Sequence, residues 1–326
     1  MLSMKTLTCA RLIVVAAGVL TAFYAVAQPY PARPLRILQG FAPGGNGDAI
    51  ARIVGDEISK TLRQPVVVEA RPGAGGTIGA DLVAKATPDG YTLFLMTGGH
   101  VVAGALYRKL PYDTVAGFAM LSTVTFFPFL VVTRADSKWL TMNALIAEMK
   151  AAPKPLAFGS AGIGSTHHLI GELMAATVGA KILHVPYKGD SAALSGMLAN
   201  EVPFIIAPPT AVIGHIQAGT LKALATTGRT RWQRLPDVPT IDESAIPGFA
   251  ASSWIGLAAT AGSPRVAVER LNAEINRAVR VPEVKSRLED FGGEVRGSTT
   301  DEMQRHVASE LARWQQVVRD ARIPQQ

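Results

Sequence analysis

Short apolar runs alternate with amphipathic stretches along most of the chain. The runs predict strands over 35–41, 65–70, 92–96, 129–133, 156–159, 182–185, 204–207, 221–226 and 254–259. Helical periodicity between them predicts helices over 49–62, 77–86, 142–151, 167–177, 192–198 and 212–218. In the first helix Ile50, Ile53, Val54, Ile58 and Leu62 share one face, which is the spacing needed to bury a single stripe. Beyond the last strand the chain turns helical over 266–279, 283–291 and 302–322. Pro264 stands where a first turn tolerates it, and Thr300 is placed to cap the final helix. Strands separated by helices predict an α/β fold with mainly parallel sheets. No long linker interrupts the rhythm, so two lobes require extended crossovers, near 129–134 and 248–254. The division this predicts is lobe 1 over 28–130 and 254–326, and lobe 2 over 131–253.

The N-terminus departs from that rhythm. Lys5 and Arg11 precede an uncharged apolar run over 12–24, which is shorter than the roughly 20 residues a membrane span needs. Ala25-Val26-Ala27 follows, so 1–27 reads as a secretory signal peptide cleaved after Ala27, and the mature chain as periplasmic. The single cysteine, Cys9, leaves with it, which removes disulfides and thiolate metal sites from consideration. The formal net charge of +7 is spread along the chain, with no basic cluster interleaved with aromatics, so nucleic acid is not an expected partner. A weak positive field of this kind helps to gather anions.

Four strand ends run into glycine-rich or polar turns with a helix just beyond: 41–48, 97–100, 159–166 and 186–191. Helix N-termini leave backbone N–H groups unpaired and carry a partial positive charge, and glycine lets the backbone approach a ligand. A carboxylate fits such a turn. Any one of them is as well explained as a simple cap; four across both lobes point to a cleft lined by N–H donors. Enzyme signatures are absent from the sequence. Gly159-Ser160-Ala161-Gly162 has Phe158 where a nucleophile elbow needs glycine, and the glycines over 73–79 miss the dinucleotide spacing. The six histidines show no HExxH spacing, and His167 and His168, being adjacent, point to different sides of a helix. No catalytic residue, cofactor or metal is therefore expected, and a secreted hydrolase lacks a legible nucleophile–base pair.

In order, the segments YPARPLRILQGFAPGGNGDAIAR, QPVVVEARPGAGGTIGADLVAKATPDGYTL, ALYRKLPYD, SAGIGSTHHLIGELM, HVPYKG and LPDVPTI resemble the tripartite tricarboxylate transporter receptor family, the Bug or TctC-type extracytoplasmic solute receptors. The resemblance covers essentially the whole chain after residue 27. It implies a type II periplasmic-binding-protein fold, with two lobes closing over a small organic acid, and a monomer that delivers its solute to a two-subunit membrane permease. In the family, the first turn and the Ser-Ala-Gly turn grip one carboxylate from both lobes, partly through water. That carries over to Phe41, Pro43, Gly44, Gly45 and Asp48, joined in this turn by Asn46, and to Ser160, Ala161, Gly162, Ser165 and Thr166. Thr97 and His100 match a stretch facing the cleft, and Tyr187 matches the tyrosine of a Pro-Tyr-Lys-Gly segment. Asp48 serves equally well as a helix-start residue or a ligand contact.

Three departures bear on the ligand: Asn46-Gly47 in the first turn, Ile163 where a polar residue is usual, and Ala207-Pro208 where many members have Asp-Asn. With Ala207 facing the ligand, no acidic group is expected to meet an ammonium. The ligand expected is a mono- or dicarboxylate with an apolar, even aromatic, body. Two other roles use the same cleft or none: a sensory protein presenting its ligand to a membrane kinase, and an orphan that has lost binding.

Overall fold

The computed structural model describes residues 30–326, so the signal peptide read over 1–27 lies outside the described residues. Among the described residues, eleven strands form two sheets. The first sheet contains β1 (Leu35–Gln39), β2 (Val66–Ala70), β3 (Thr92–Thr97), β4 (Phe118–Pro128), β10 (Ser252–Thr260) and β11 (Glu294–Val295), in the order β11-β4-β10-β3-β1-β2. The second contains β5 (Leu130–Arg134), β6 (Leu156–Ser160), β7 (Ile182–Pro186), β8 (Phe204–Ala207) and β9 (Leu221–Thr226), in the order β7-β6-β8-β5-β9. Both sheets are mixed. β1, β2 and β3 pair in parallel, as do β6, β7 and β8, whereas β4, β10 and β11 in one sheet and β5 and β9 in the other pair antiparallel. β4 has no counterpart among the predicted strands, and the helix Gly98–Leu106 has none among the predicted helices. β4 runs next to β5 with a single residue between them, so its apolar side chains merge into one long run without a period to read.

The amphipathic face of the helix Asn46–Leu62 is buried as its spacing predicts, with Ile50, Ile53, Val54, Ile58 and Leu62 all 6% exposed or less. The C-terminal helices return to the first sheet. Arg265–Ala278 packs on Asn46–Leu62 and on β4, and Thr300–Asp320 packs on Gly98–Leu106 and on β4. Arg277 bonds Glu57 at 2.8 Å and Glu274 at 3.0 Å, and bonds with Lys60 and then Arg277 hold the Glu57 carboxyl below its ordinary range. The last helix, Thr300–Asp320, begins two residues earlier than predicted. Thr299, not Thr300, is the cap, because Thr299 and Glu302 satisfy each other's backbone N–H in a capping box.

The chain passes from the first sheet to the second between β4 and β5, and returns between β9 and β10. Thr227 ties these passages together. Its Oγ1 accepts from Phe129 N at 2.9 Å and donates to Ala251 O at 2.5 Å, and its own N–H bonds Phe129 O at 2.9 Å. Among the described residues, no helix is long and apolar enough to cross a membrane.

Candidate ligand-binding site

Each strand end predicted to turn into a helix does so. After β1, Gln39 Oε1 accepts from Phe41 N at 3.0 Å, which starts the turn, and Gly45 caps the helix Asn46–Leu62 without a side-chain bond. The first intrahelical bond runs from Ala49 N to Gly45 O, so the amides of Asn46, Gly47 and Asp48 precede the ladder. After β3, Thr97 caps Gly98–Leu106, again with no side-chain bond. After β6, Ser165 caps Thr166–Val178; its Oγ accepts from His168 N at 3.3 Å and donates to Gly162 O at 2.7 Å. Gly189 precedes Asp190–Leu198, and Pro208 precedes Pro209–Gln217.

All five helix starts border one cavity between the sheets, which leaves about 50 Å³ for the centres of water-sized molecules. Phe41, Phe127, Phe129, Pro208 and Ile255 supply apolar wall, while Asn46, Asp48, Thr97, Ser165, Thr166, His167 and Asp190 supply polar groups. Among the described residues no lysine or arginine lines it. A carboxylate held here would therefore rely on amides, helix dipoles and hydroxyls rather than a fixed cation. Asn46 Oδ1 is buried without a hydrogen-bond partner.

The two acids at the cavity are in different situations. Asp48 receives Arg52 through two bonds, Nε at 3.0 Å and Nη2 at 3.1 Å, and also accepts from Gly44 N at 3.3 Å. It is a helix-start acid that latches its own turn, and the bonds to it raise the Arg52 guanidinium further. Asp190 begins the helix on the opposite side. His167 Nε2 lies 3.0 Å from Asp190 Oδ1 but outside hydrogen-bond alignment, and His167 Nδ1 has no partner. Ala207 brings no acid, as its identity implies, but Asp190 places a carboxylate at the cavity from another helix.

Of the residues predicted from sequence, Phe41, Gly45, Asn46, Asp48, Thr97, Ala161, Ser165 and Thr166 line the cavity. Pro43, Gly44 and Gly162 shape the turns behind that lining. Four others are placed elsewhere. His100 is buried among Phe94, Tyr112 and Phe118 with Nε2 on Thr114 O at 2.8 Å, and burial pulls its pKa down to about 4. Ser160 is fully buried, with Oγ 2.6 Å from His184 Nε2 and accepting from Gly162 N at 3.1 Å. This is a serine–histidine pair that sequence reading did not find, yet it braces the turn from behind instead of facing the cavity. Burial first, then nearby His168, lowers His184 to about 3, and burial lowers His168, stacked 3.9 Å away, to about 4. Tyr187 bonds Glu201 at 2.9 Å, and burial together with that carboxylate pushes its hydroxyl up to about 12. Ala207 packs in the second lobe's core.

His167, Asp190, Phe127, Phe129 and Ile255 were missed. His167 sits one residue beyond the third predicted turn, Asp190 lies inside the fourth without being singled out there, and Phe127, Phe129 and Ile255 lie at or beside the crossovers. Gly75 is also informative. Its φ of 64° suits glycine, and a Cβ there would drive into the Ile163 carbonyl oxygen of the facing turn. Among the described residues, no group of three or more His, Cys, Asp or Glu could hold a metal ion.

Two α/β lobes joined by crossovers, with helix N-termini meeting at the cavity between them, define a receptor of the type II periplasmic-binding-protein kind. The chain belongs to the family described as tripartite tricarboxylate transporter family receptor, which it matches over residues 50–323. It is similar to the "UPF0065 protein in tcbD-tcbE intergenic region" of Pseudomonas sp. (strain P51), at 39% identity over 295 residues, covering 90% of this chain and 88% of that one. Among solved structures it resembles the periplasmic binding protein BugD, with 32% identity and a TM-score of 0.87 over 91% of this chain and 100% of that one. R. palustris Rpa4515 with adipate gives the same four figures. MatC from Rhodopseudomonas palustris with bound malate gives 32% identity and a TM-score of 0.84, over 89% and 100%.

Proposed function

We propose that this chain is an extracytoplasmic solute-binding receptor, not an enzyme, that captures a small organic carboxylate between its lobes and presents it to a two-subunit membrane permease. The lobes are taken as 28–130 with 254–326, and 131–253, the first lobe completed by the C-terminal helices, in a chain exported and cleaved behind Ala27. One observation carries the reading: helix N-termini from both sheets open onto a single cavity that has apolar walls and no lysine or arginine among its described lining residues. Free amides at such mouths favour one anionic group, and the phenylalanines favour an apolar flank. Relatives bound to adipate and malate support the carboxylate class. The non-enzymatic reading is supported by Ser160 and His184, whose short contact lies away from the cavity lining.

Thermal unfolding against a library of organic acids tests this. A true ligand at a hundred times its Kd stabilises the folded protein by about 2.7 kcal/mol, visible as a raised Tm. Sugars or polyamines raising the Tm while every acid leaves it unchanged would overturn the reading.

A further inference from the structure

We propose that His167 and Asp190 form a second recognition point in this cavity, which reads a hydrogen-bond donor, a hydroxyl or an ammonium, on the bound acid. This rests on the carboxylate reading above and adds the chemistry of the rest of the ligand.

His167 is 7% exposed, and its ring stands edge-on to Phe129 with centroids 4.5 Å apart. Packing fixes the ring, yet Nδ1 has no hydrogen-bond partner and Nε2 meets Asp190 only off-line at 3.0 Å. Buried polar atoms left unmet are costly, and where they line a cavity the economical explanation is a ligand that meets them. Asp190 faces the other lobe: a Cβ built on Gly45 would lie 3.7 Å from its Oδ2. Its carboxylate, 15% exposed, therefore stands between the two turns. Asp48 is already engaged by Arg52, whereas Asp190 has His167 beside it, out of hydrogen-bond alignment.

These placements divide the cavity by charge. Amides at the helix mouths suit one carboxylate. A second carboxylate near Asp190 would meet like charge, with no lysine or arginine in the described lining to offset it. A donor group meets the opposite situation. It donates a hydrogen bond to Asp190, and the free ring nitrogen of His167 donates to a hydroxyl oxygen or accepts from an ammonium. Asn46 Oδ1, buried and unpartnered on the facing helix, is a further acceptor. Hydroxyl and ammonium share this chemistry, and charge separates them.

The test is calorimetric titration of the purified protein with a matched four-carbon set: butyrate, its hydroxy and amino derivatives, and succinate. At least one hydroxy or amino acid is expected to bind about tenfold or more tighter than both butyrate and succinate, the size of one good hydrogen bond to a charged group. Asp190→Ala should shrink that margin to about threefold or less while leaving butyrate nearly unchanged, since only the donor's partner is removed. Asp190→Asn separates the two donors: its amide oxygen still accepts from a hydroxyl, so a hydroxy acid keeps most of its advantage and an amino acid loses it. His167→Phe keeps the contact with Phe129 and removes the nitrogens, and it should also narrow the margin. Melting curves identify any variant that fails to fold, and the remaining variants then carry the comparison. Preference for succinate, or a margin unchanged in Asp190→Ala and His167→Phe, overturns the proposal. If no organic acid binds at all, the carboxylate reading itself fails and this inference falls with it.

Discussion

The two helix mouths that face each other across the cavity are built alike and charged differently. Each follows a parallel strand, passes through glycine and offers first-turn amides. Each also carries an acid in that first turn, where the helix dipole favours it. In the first lobe the acid is Asp48, tied by two bonds to Arg52 on its own helix and by a third to Gly44. In the second it is Asp190, which has His167 of a neighbouring helix 3.0 Å away but out of hydrogen-bond alignment. An acid neutralised within its own helix leaves the amides free to attract any small anion. An acid left open makes its mouth selective, because it repels one class of ligand group and bonds another.

Acid should disturb both mouths most. His100 supports the first lobe beside its aromatic cluster, and His168 and His184 stack behind the second. Unfolded imidazoles take up protons below about pH 6.5, whereas in the folded protein His100 and His168 stay neutral down to about 4. Stability is therefore full above 6.5 and is lost as pH falls from there towards 4, on the order of 3 kcal/mol for each of these two groups. Urea unfolding at pH 7 and pH 4.5 measures it, and amide exchange around 160–168 should accelerate before exchange around 98–106. A flat profile would show that these histidines are not held neutral.

Gly75→Val attacks the facing of the mouths. The side chain would enter the Ile163 carbonyl, so the lobes could not approach, and acid affinity should fall about 100-fold, close to 2.7 kcal/mol. Folding should suffer less, by roughly 1–2 kcal/mol for a left-handed residue other than glycine. Unaltered affinity would mean that this contact plays no part in capture.

The smallest change expected is from Arg52→Met. It strips Asp48 of its partner and makes the first mouth resemble the second. A carboxylate a few ångströms from an unpaired Asp48 should then bind about tenfold more weakly, the effect easing in salt. A full salt series on wild type and variant separates this from a packing defect.

Much of the architecture was legible because it is written in local pattern. Ile50, Ile53, Val54 and Ile58 bury one face wherever the helix sits, and the glycine turns announce where strands give way to helices. The strand–helix rhythm of β1–β3 and β6–β8 follows from the same signals. β4 was not legible, since a run buried on both faces has no alternation, and its antiparallel partner β10 lies more than a hundred residues away. The capping box shifted by one residue because Thr299 and Thr300 are equally able caps, and only the reach of Glu302 distinguishes them.

For the site, the turns were readable and the orientation of individual side chains was not. Successive residues in a first helical turn point about 100° apart, so one step along the chain separates a cavity group from a core group. His167 faces the cavity and His168 stacks on His184, a division that depends on where Phe129 and β7 pack. By itself, the order of residues determined a chain of strand–turn–helix units, several bearing amides suited to an anion. The i,i+4 pairing of Asp48 with Arg52 is local; tertiary structure alone decided which units meet, that Asp190 stands at the cavity beside His167, and that His100 belongs to the core. Local propensity acts over a few bonds, whereas the charge and shape of a cavity arise from segments brought together only when two sheets close on each other.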